Sequence, residues 1–298
     1  MFLNYYPMKI CGFTFVRNAV KYDYPVVESI TSILTIVDQF IVSVGNCDDG
    51  TLELIESIGS PKIKIVHSVW DDSLKEGGRV LATETDKVLA QVPADYDWAF
   101  YLQADEVVHE EDLDNIVKAA SQYVHDKRVE GFLFNYIHFY GTYDYVGDSR
   151  RWYGHEIRLF RNNGTIKSYR DAQGFRTRQN KKLRVKKIDA NIYHYGWVRH
   201  PHKQLEKLSN FYSLWNGEKY AVPQLKDNDQ FDFFKDADSL AIFKGTHPRV
   251  MQKRVGEKNW QADFDVRLKN FSAKDRLLFR IEKLTGKRLF DYRNYRII

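Results

Sequence analysis

The segment Trp98-Ala99-Phe100-Tyr101-Leu102-Gln103-Ala104-Asp105-Glu106-Val107-Val108 begins with an unbroken apolar run and then stops at acids. Such a run, bounded by polar residues, reads as a short strand, Trp98 to Leu102, buried on both faces. His109, Glu110, Glu111 and Asp112 follow, and after them an apolar-periodic helix. A carboxylate at the C-terminal end of a strand in an open α/β sheet lies where such sheets bind ligands. Hard oxygen donors at that point suit a divalent cation that carries phosphates.

Upstream of this segment, strands and helices alternate. Lys9 to Val16 reads as a buried first strand, ended by Arg17-Asn18. Val26 to Val37 has helical apolar spacing, and Gln39 to Gly45 is a second strand. Asn46 to Thr51 is a turn, with Thr51 placed to cap a helix carrying Leu52, Leu54 and Ile55. Lys62 to His67 is a third strand, and Gly77-Gly78 precedes a helix from about Arg79 to Gln91. This alternation predicts an α/β fold with a mostly parallel central sheet and helices on both faces.

Beyond Val129 the pattern changes. Gly131 to Tyr140 is a long β-rich run, Glu156 to Arg161 is a strand, Asn162-Asn163-Gly164 is a hairpin-type turn, and Ile192 to Val198 is a further strand. From Pro201 helices dominate, with an acidic, aromatic loop around Asp227 to Asp238. The expected division is residues 1–200 as the sheet-containing domain and 201–298 as a mainly helical C-terminal region.

At 298 residues the chain can bury a sizeable core. No apolar run approaches the roughly 20 residues a membrane helix needs. Met1 to Pro7 lacks the pattern of a secretory leader, and Cys11 and Cys47 alone make neither a disulfide framework nor a zinc site. The expected location is therefore the cytoplasm. The net charge of +5 gathers in two clusters, one from Lys181 to Lys187 and one from Arg276 to Arg296. Basic clusters attract anionic partners or serve as solvated surface.

Taken together, several pieces resemble family 2-type glycosyltransferases of the GT-A fold. They are Phe15-Val16-Arg17-Asn18, Val37-Asp38-Gln39-Phe40-Ile41-Val42 leading to Asp49-Gly50-Thr51, the Trp98–Glu106 run, Arg158-Leu159-Phe160-Arg161 and Tyr193-His194-Tyr195-Gly196. They span Lys9 to about Arg199, and the resemblance implies a GT-A-like catalytic domain over residues 1–200. The resemblance implies a sugar-nucleotide donor, a divalent metal (manganese or magnesium) and inverting transfer to an acceptor hydroxyl in glycan or surface polysaccharide synthesis. The family's Asp-X-Asp motif reads Gln103-Ala104-Asp105 here, followed by Glu106. The resemblance makes Asp105 the metal ligand, with His194 as a second ligand. Gln103, Arg17, Asn18, Asn46, Asp48 and Arg79 then become donor-binding candidates.

For the base that accepts the acceptor proton, the candidates are Asp171 and its rival Glu156. Each has a structural alternative. Asp105 could cap the next helix, Asp171 could pair with Arg170 or Arg176, and His194 could be a packed core histidine. Trp152, Tyr153, Trp197, Arg199, His200 and His202 could line the acceptor side or fill the core. The acceptor expected is a glycan or a lipid-linked one. The basic, apolar C-terminus could rest on the inner face of a membrane or pack as a helix. A nucleotidyltransferase is the alternative enzyme, although no Gly-rich basic loop follows the first strand. A non-enzymatic glycan- or nucleic-acid-binding protein is the third reading, and the absence of an RNA-binding fingerprint disfavours nucleic acid.

Overall fold

Residues 8–74, 76–216, 225–226 and 228–298 are described by a computed structural model. Met1–Pro7 and Asp227, used in the sequence reading, lie outside them. The first half alternates as expected: β1 (Ile10–Val16), α1 (Val26–Ile33), β2 (Gln39–Val44), α2 (Thr51–Glu56), β3 (Ile63–His67), α3 (Arg79–Leu89) and β4 (Trp98–Tyr101). There follow β5 (Glu106–Val108), α4 (Leu113–Tyr123), β6 (Gly131–Gly147), β7 (His155–Arg161), β8 (Ile166–Tyr169), β9 (Gly174–Thr177) and β10 (Leu183–Val198). The remainder carries α5 (Pro201–Asn216), α6 (Phe233–Asp236), β11 (Leu240–Ile242), α7 (Gln252–Gly256), α8 (Ala273–Thr285) and β12 (Tyr295–Ile297).

The main sheet runs β12-β10-β6-β7-β4-β1-β2-β3, with β11 on β6 and β5 on β10. Five of its strand pairings are parallel and four antiparallel. Because side chains alternate along a strand, the central strands feed two apolar layers. Ile10, Val16, Trp98 and Phe100 join Val26, Ile30 and Ile33 of α1, Ile55 of α2 and Ile116 of α4 on one face. Cys11, Phe13, Ala99 and Tyr101 join Val88 of α3 and the β8–β9 ribbon on the other. The central strands therefore have no polar face, and their sequence reads as a continuous apolar run.

Four local expectations are corrected. α1 ends at Ile33 rather than Val37, and the carbonyls of Leu34 and Val37 instead accept from the Lys62 ammonium at 2.8 and 2.7 Å. Thr51 is the first helical residue and not the cap. Gly50 holds the cap position at φ 80°, while Thr51 Oγ1 accepts from Ala19 N at 2.7 Å and donates to Asp49 at 2.6 Å. The Asn162–Gly164 turn does not form a hairpin with β7; it leads out of the main sheet, and β8 pairs with β9. The last region carries α5 to α8 and also returns β11 and β12 to the main sheet.

Arg158 on β7 and Glu106 on β5 form a fully buried pair, both donor–acceptor distances being 2.7 Å. Tyr136 donates its hydroxyl to the same carboxylate at 2.8 Å, and the Gln103 backbone N–H donates at 3.1 Å. Arg158 also donates to the carbonyl of Gln173 at 2.8 Å, in the loop between β8 and β9. Glu106 is therefore neither a solvent-facing acid nor a neighbour of Asp105 in a ligand set. It anchors the Gln103–Glu106 turn, and through Arg158 ties that turn to the β8–β9 loop. Arg158→Leu leaves a carboxylate buried without its charge partner and is expected to cost roughly 3–5 kcal/mol in urea unfolding. Glu106→Leu combined with Arg158→Met is expected to recover most of that loss.

Candidate active site

The C-terminal ends of β1 and β4 open into a cavity of about 700 Å³. β1 has β2 on one side and β4 on the other, so the strand order reverses there and leaves a crevice for a ligand. Of the sequence-derived candidates, Arg17, Asn18, Asp48, Gln103, Asp105, Asp171 and His194 line this cavity. Asn46 and Arg79 are exposed and do not line it. Glu156 lies in an adjoining pocket of about 200 Å³, which shares Arg151, Tyr153 and Gln173 with the larger one.

Asp105 and His194 meet because β5 pairs antiparallel with β10, setting Glu106 opposite His194, while Tyr195 N donates to the Asp105 carbonyl at 2.8 Å. Gly196 completes the junction. A Cβ there would lie 2.6 Å from the His194 ring and 3.0 Å from Asp105 Oδ2, so only glycine lets the two side chains approach. Asp105 does not cap a helix; the ring of His109 does so, accepting from Glu111 N at 3.2 Å.

Hydrogen bonds determine the protonation of His194. His138 Nε2 lies 2.8 Å from the Tyr153 carbonyl, which can only accept, so that nitrogen carries the hydrogen. Burial drives the pKa of His138 well down and lowers that of His194, so both rings are neutral near pH 7. His138 Nδ1 then accepts from His194 Nδ1–H at 3.1 Å. His194 Nε2 is left with a bare lone pair, 3.7 Å from Asp105 Oδ1. Two electron-pair donors facing each other across that gap fit a divalent cation, with imidazole favouring manganese over magnesium. Among the described residues no cluster of three such donors occurs, so the remaining ligands would be oxygens of a bound substrate or water.

The other oxygen of Asp105 accepts from the Lys207 ammonium at 3.1 Å. Lys207 also donates to the Gly196 carbonyl at 2.7 Å, and its charge lies 5.1 Å from the Tyr24 ring. Arg199, fully buried, faces the same ring at 5.1 Å. Its Nε and both Nη atoms have no hydrogen-bond acceptor among the described residues. One carboxylate thus meets two buried cations. Burial alone would raise the pKa of Asp105, but Lys207 and then Arg199 hold it far below the usual carboxylate range. Burial, and then Arg199, bring that of Lys207 down to about 8 against the pull of Asp105.

Around the rest of the cavity, the Arg17 guanidinium stacks over Trp70 at 5.5 Å. Asn18, at φ 56°, accepts from Asp48 N at 3.3 Å and so joins the ends of β1 and β2. Asp171 projects from the β8–β9 loop between Arg170 and Ala172, both at positive φ (58° and 66°). Non-glycine residues in that region are uncommon and concentrate at functional sites. Burial raises the Asp171 pKa, and the Arg176 guanidinium donates instead to Asn294 Oδ1 and the Tyr292 hydroxyl, at 2.7 and 2.8 Å. Gly78 packs on this loop, where a Cβ would sit 3.0 Å from that of Asp171.

Tyr153 and Trp197 line the cavity, whereas Trp152 belongs to a core cluster with Tyr140 and Phe233. His200 and His202 do not line it; His202 Nδ1 lies 2.8 Å from the Asp229 carbonyl. Sequence reasoning missed Lys207. The signal was a helical face in α5, Gln204-Lys207-Leu208-Phe211, that places a lysine at core spacing, and all four residues line the cavity.

No protein-family profile and no curated protein matches the chain. Solved structures similar to it include S. aureus TarS 1–349 in complex with UDP, at 14% identity, TM-score 0.40, covering 70% of this chain and 65% of that one. Another is 4-diphosphocytidyl-2C-methyl-D-erythritol synthase from Anaerococcus prevotii, at 10% identity and TM-score 0.33, covering 52% and 70%. A third is glucosyl-3-phosphoglycerate synthase from Mycobacterium tuberculosis with Mn2+, UDP and phosphoglyceric acid, at 13% identity and TM-score 0.29, covering 44% and 43%. The chain spans 39% of the longer TarS chain.

Glu156 supplies a pH test of this wall of the site. Burial raises its carboxyl pKa to about 8, with the nearby Glu106 adding and Arg158 opposing. A raised carboxyl pKa means that the folded state binds more protons than the unfolded one, so stability falls as pH rises through that range. Urea unfolding is expected to show stability declining between about pH 5 and pH 8, and Glu156→Gln is expected to flatten that decline.

Proposed function

We propose that the chain is a GT-A-type glycosyltransferase that moves a sugar from a nucleoside-diphosphate donor to an acceptor hydroxyl, with inversion, in glycan or surface polysaccharide synthesis. The observation that carries this reading is the meeting of Asp105, His194 and Lys207 at the C-terminal ends of the central strands, with Asp171 on a separate loop of the same cavity. UDP in a similar structure supports the donor class.

In this reading the nucleotide lies against the ends of β1 and β2, where Arg17, Asn18 and Asp48 line the cavity, and Gln103 offers an uncharged hydrogen-bonding group beside it. Asn46 and Arg79, outside the cavity, have no part in it. Asp105 and His194 would hold a divalent cation, which when bound neutralises charge on the departing diphosphate. Asp171 accepts the proton of the acceptor hydroxyl as that oxygen bonds to the anomeric carbon. The bond to the diphosphate breaks on the opposite face, and its electron pair leaves with the phosphate. A carboxyl with a raised pKa is a stronger base for this step than an exposed one. Glu156, kept largely neutral by burial, is less suited to it. Tyr153 and Trp197 offer aromatic faces to the sugar units.

A peripheral membrane contact has a separate basis. Among the described residues, α8 buries none of its own, and Leu277, Leu284 and the following Phe290 are 60%, 86% and 90% exposed beside Arg276, Arg280, Lys283 and Lys287. No helix among the described residues is long and apolar enough to cross a membrane. A surface contact would suit a lipid-linked acceptor. Flotation with vesicles containing phosphatidylserine is expected to carry the wild-type chain and to lose it on Leu284→Glu/Phe290→Glu; equal flotation of both would set the contact aside.

Asp171→Asn is expected to lower turnover by at least about a hundredfold while leaving donor affinity within about threefold, as for loss of a general base. Unchanged turnover would remove Asp171 from the mechanism. The product separates the two enzyme readings: a glycosyltransferase releases a nucleoside diphosphate, a nucleotidyltransferase pyrophosphate.

A further inference from the structure

We propose that Lys207 makes this site bind its diphosphate ahead of any divalent cation: it neutralises Asp105 until the ligand arrives and then donates to a phosphate oxygen. The inference rests on the nucleoside-diphosphate reading above and assigns a role to a residue on α5. Three observations lead to it.

The first is the count of donors. An ammonium has three N–H groups. Lys207 directs one to Asp105 Oδ2 at 3.1 Å and one to the Gly196 carbonyl at 2.7 Å. The third has no hydrogen-bond acceptor among the described residues, and the side chain, 14% exposed, lines the cavity.

The second is the charge balance. Lys207 and Arg199 contribute two positive charges beside the single carboxylate of Asp105, while the neighbouring Glu106 is taken up by Arg158. Immediately around Asp105 the balance is therefore positive, although Arg199 also lies near Asp23, which is paired with Arg254. That balance attracts a polyanion and repels a free dication, and with little water between the groups neither effect is strongly screened.

The third is coordination. Asp105 and His194 present one free electron-pair donor each, too few to strip a divalent ion of its water. A bound diphosphate brings both the missing oxygens and the missing negative charge. Arg199, fully buried and without a hydrogen-bond acceptor among the described residues, adds its charge to that of Lys207.

The test uses the full chain in two separate titrations, so that metal–nucleotide complexes in solution do not enter. In one, Mn2+ alone is added to nucleotide-free protein and free Mn2+ is read by electron paramagnetic resonance. In the other, UDP or inorganic pyrophosphate is added in EDTA and binding is read by calorimetry. Wild type is expected to bind Mn2+ no more tightly than about 1 mM and to bind UDP or pyrophosphate without metal. Lys207→Met is expected to tighten Mn2+ binding and to weaken UDP binding in EDTA, each by at least about tenfold. Lys207→Arg, which keeps the charge, is expected to behave as wild type, whereas a purely structural role would be lost in both variants. Tight Mn2+ binding by nucleotide-free wild type, or a folded Lys207→Met unchanged in both titrations, overturns the proposal. Diphosphate binding that appears only when Mn2+ is added also overturns it but leaves the donor reading intact. No binding of UDP or pyrophosphate with or without Mn2+ removes the donor reading, and this proposal with it.

Discussion

The buried pair of Arg158 and Glu106 is the constraint on which the site depends. Neither residue touches the large cavity directly, yet between them they fix two of its walls. Glu106 closes the turn that presents Asp105, and its own backbone pairs with β10 opposite His194. Arg158 reaches past Glu106 to the Gln173 carbonyl and so fixes the loop that carries Asp171. Its guanidinium also lies 5.4 Å from the ring of Tyr101 and 5.3 Å from that of Tyr136, which covers it with apolar surface. Ionised groups so far from water persist only when every strong donor and acceptor is met. Two further donors on the carboxylate besides its charge partner, and a planar fork that serves two segments, meet that requirement.

Beside this anchored pair lies a second and less satisfied set of charges. Asp105 has two cations near it, and Arg199 keeps its guanidinium nitrogens without acceptors among the described residues although it is fully buried. Buried polar groups without partners are costly. The contrast between the two sets separates scaffold from site: among the described residues Glu106 is satisfied, whereas Arg199 and the third N–H of Lys207 are not. The bare lone pairs of His194 Nε2 and Asp105 Oδ1 belong to the same unsatisfied set, since the His138–His194 hydrogen bond turns the imidazole lone pair toward a carboxylate.

Much of the sheet was readable from the sequence because its central strands are buried on both faces. A strand in that position must be apolar at every residue, so β1, β2 and β4 stand out as unbroken runs ended by polar residues. The boundaries were less readable. Lys62 ends α1 early by taking up carbonyls from a distance of more than twenty residues, and Thr51 spends its hydroxyl on the β1 loop rather than on its own helix. Both outcomes are tertiary hydrogen bonds that replace local ones, and propensity does not encode them. The return of β11 and β12 to the sheet was also hidden, because three-residue strands carry almost no periodic signal.

For the site, local sequence sufficed where a residue's place follows from the end of its own strand. Arg17, Asn18, Gln103 and Asp105 are of this kind, since a strand that runs out at a switch point delivers the next residues to the crevice. Residues brought in from elsewhere in the chain depend on the tertiary structure. That Glu106 turns to Arg158 while its neighbour Asp105 faces the cavity is decided by the three-residue pairing of β5 with β10. That Glu156 faces a separate pocket and Arg79 faces solvent is decided by how β7 and α3 pack. Lys207 reaches Asp105 across 102 residues because α5 lays one face on the cavity. The sequence by itself determined which strands are buried and where they end, because burial on two faces leaves a run of apolar residues. The identity of the charges that meet at those ends was decided only by long-range pairing, which local sequence does not record.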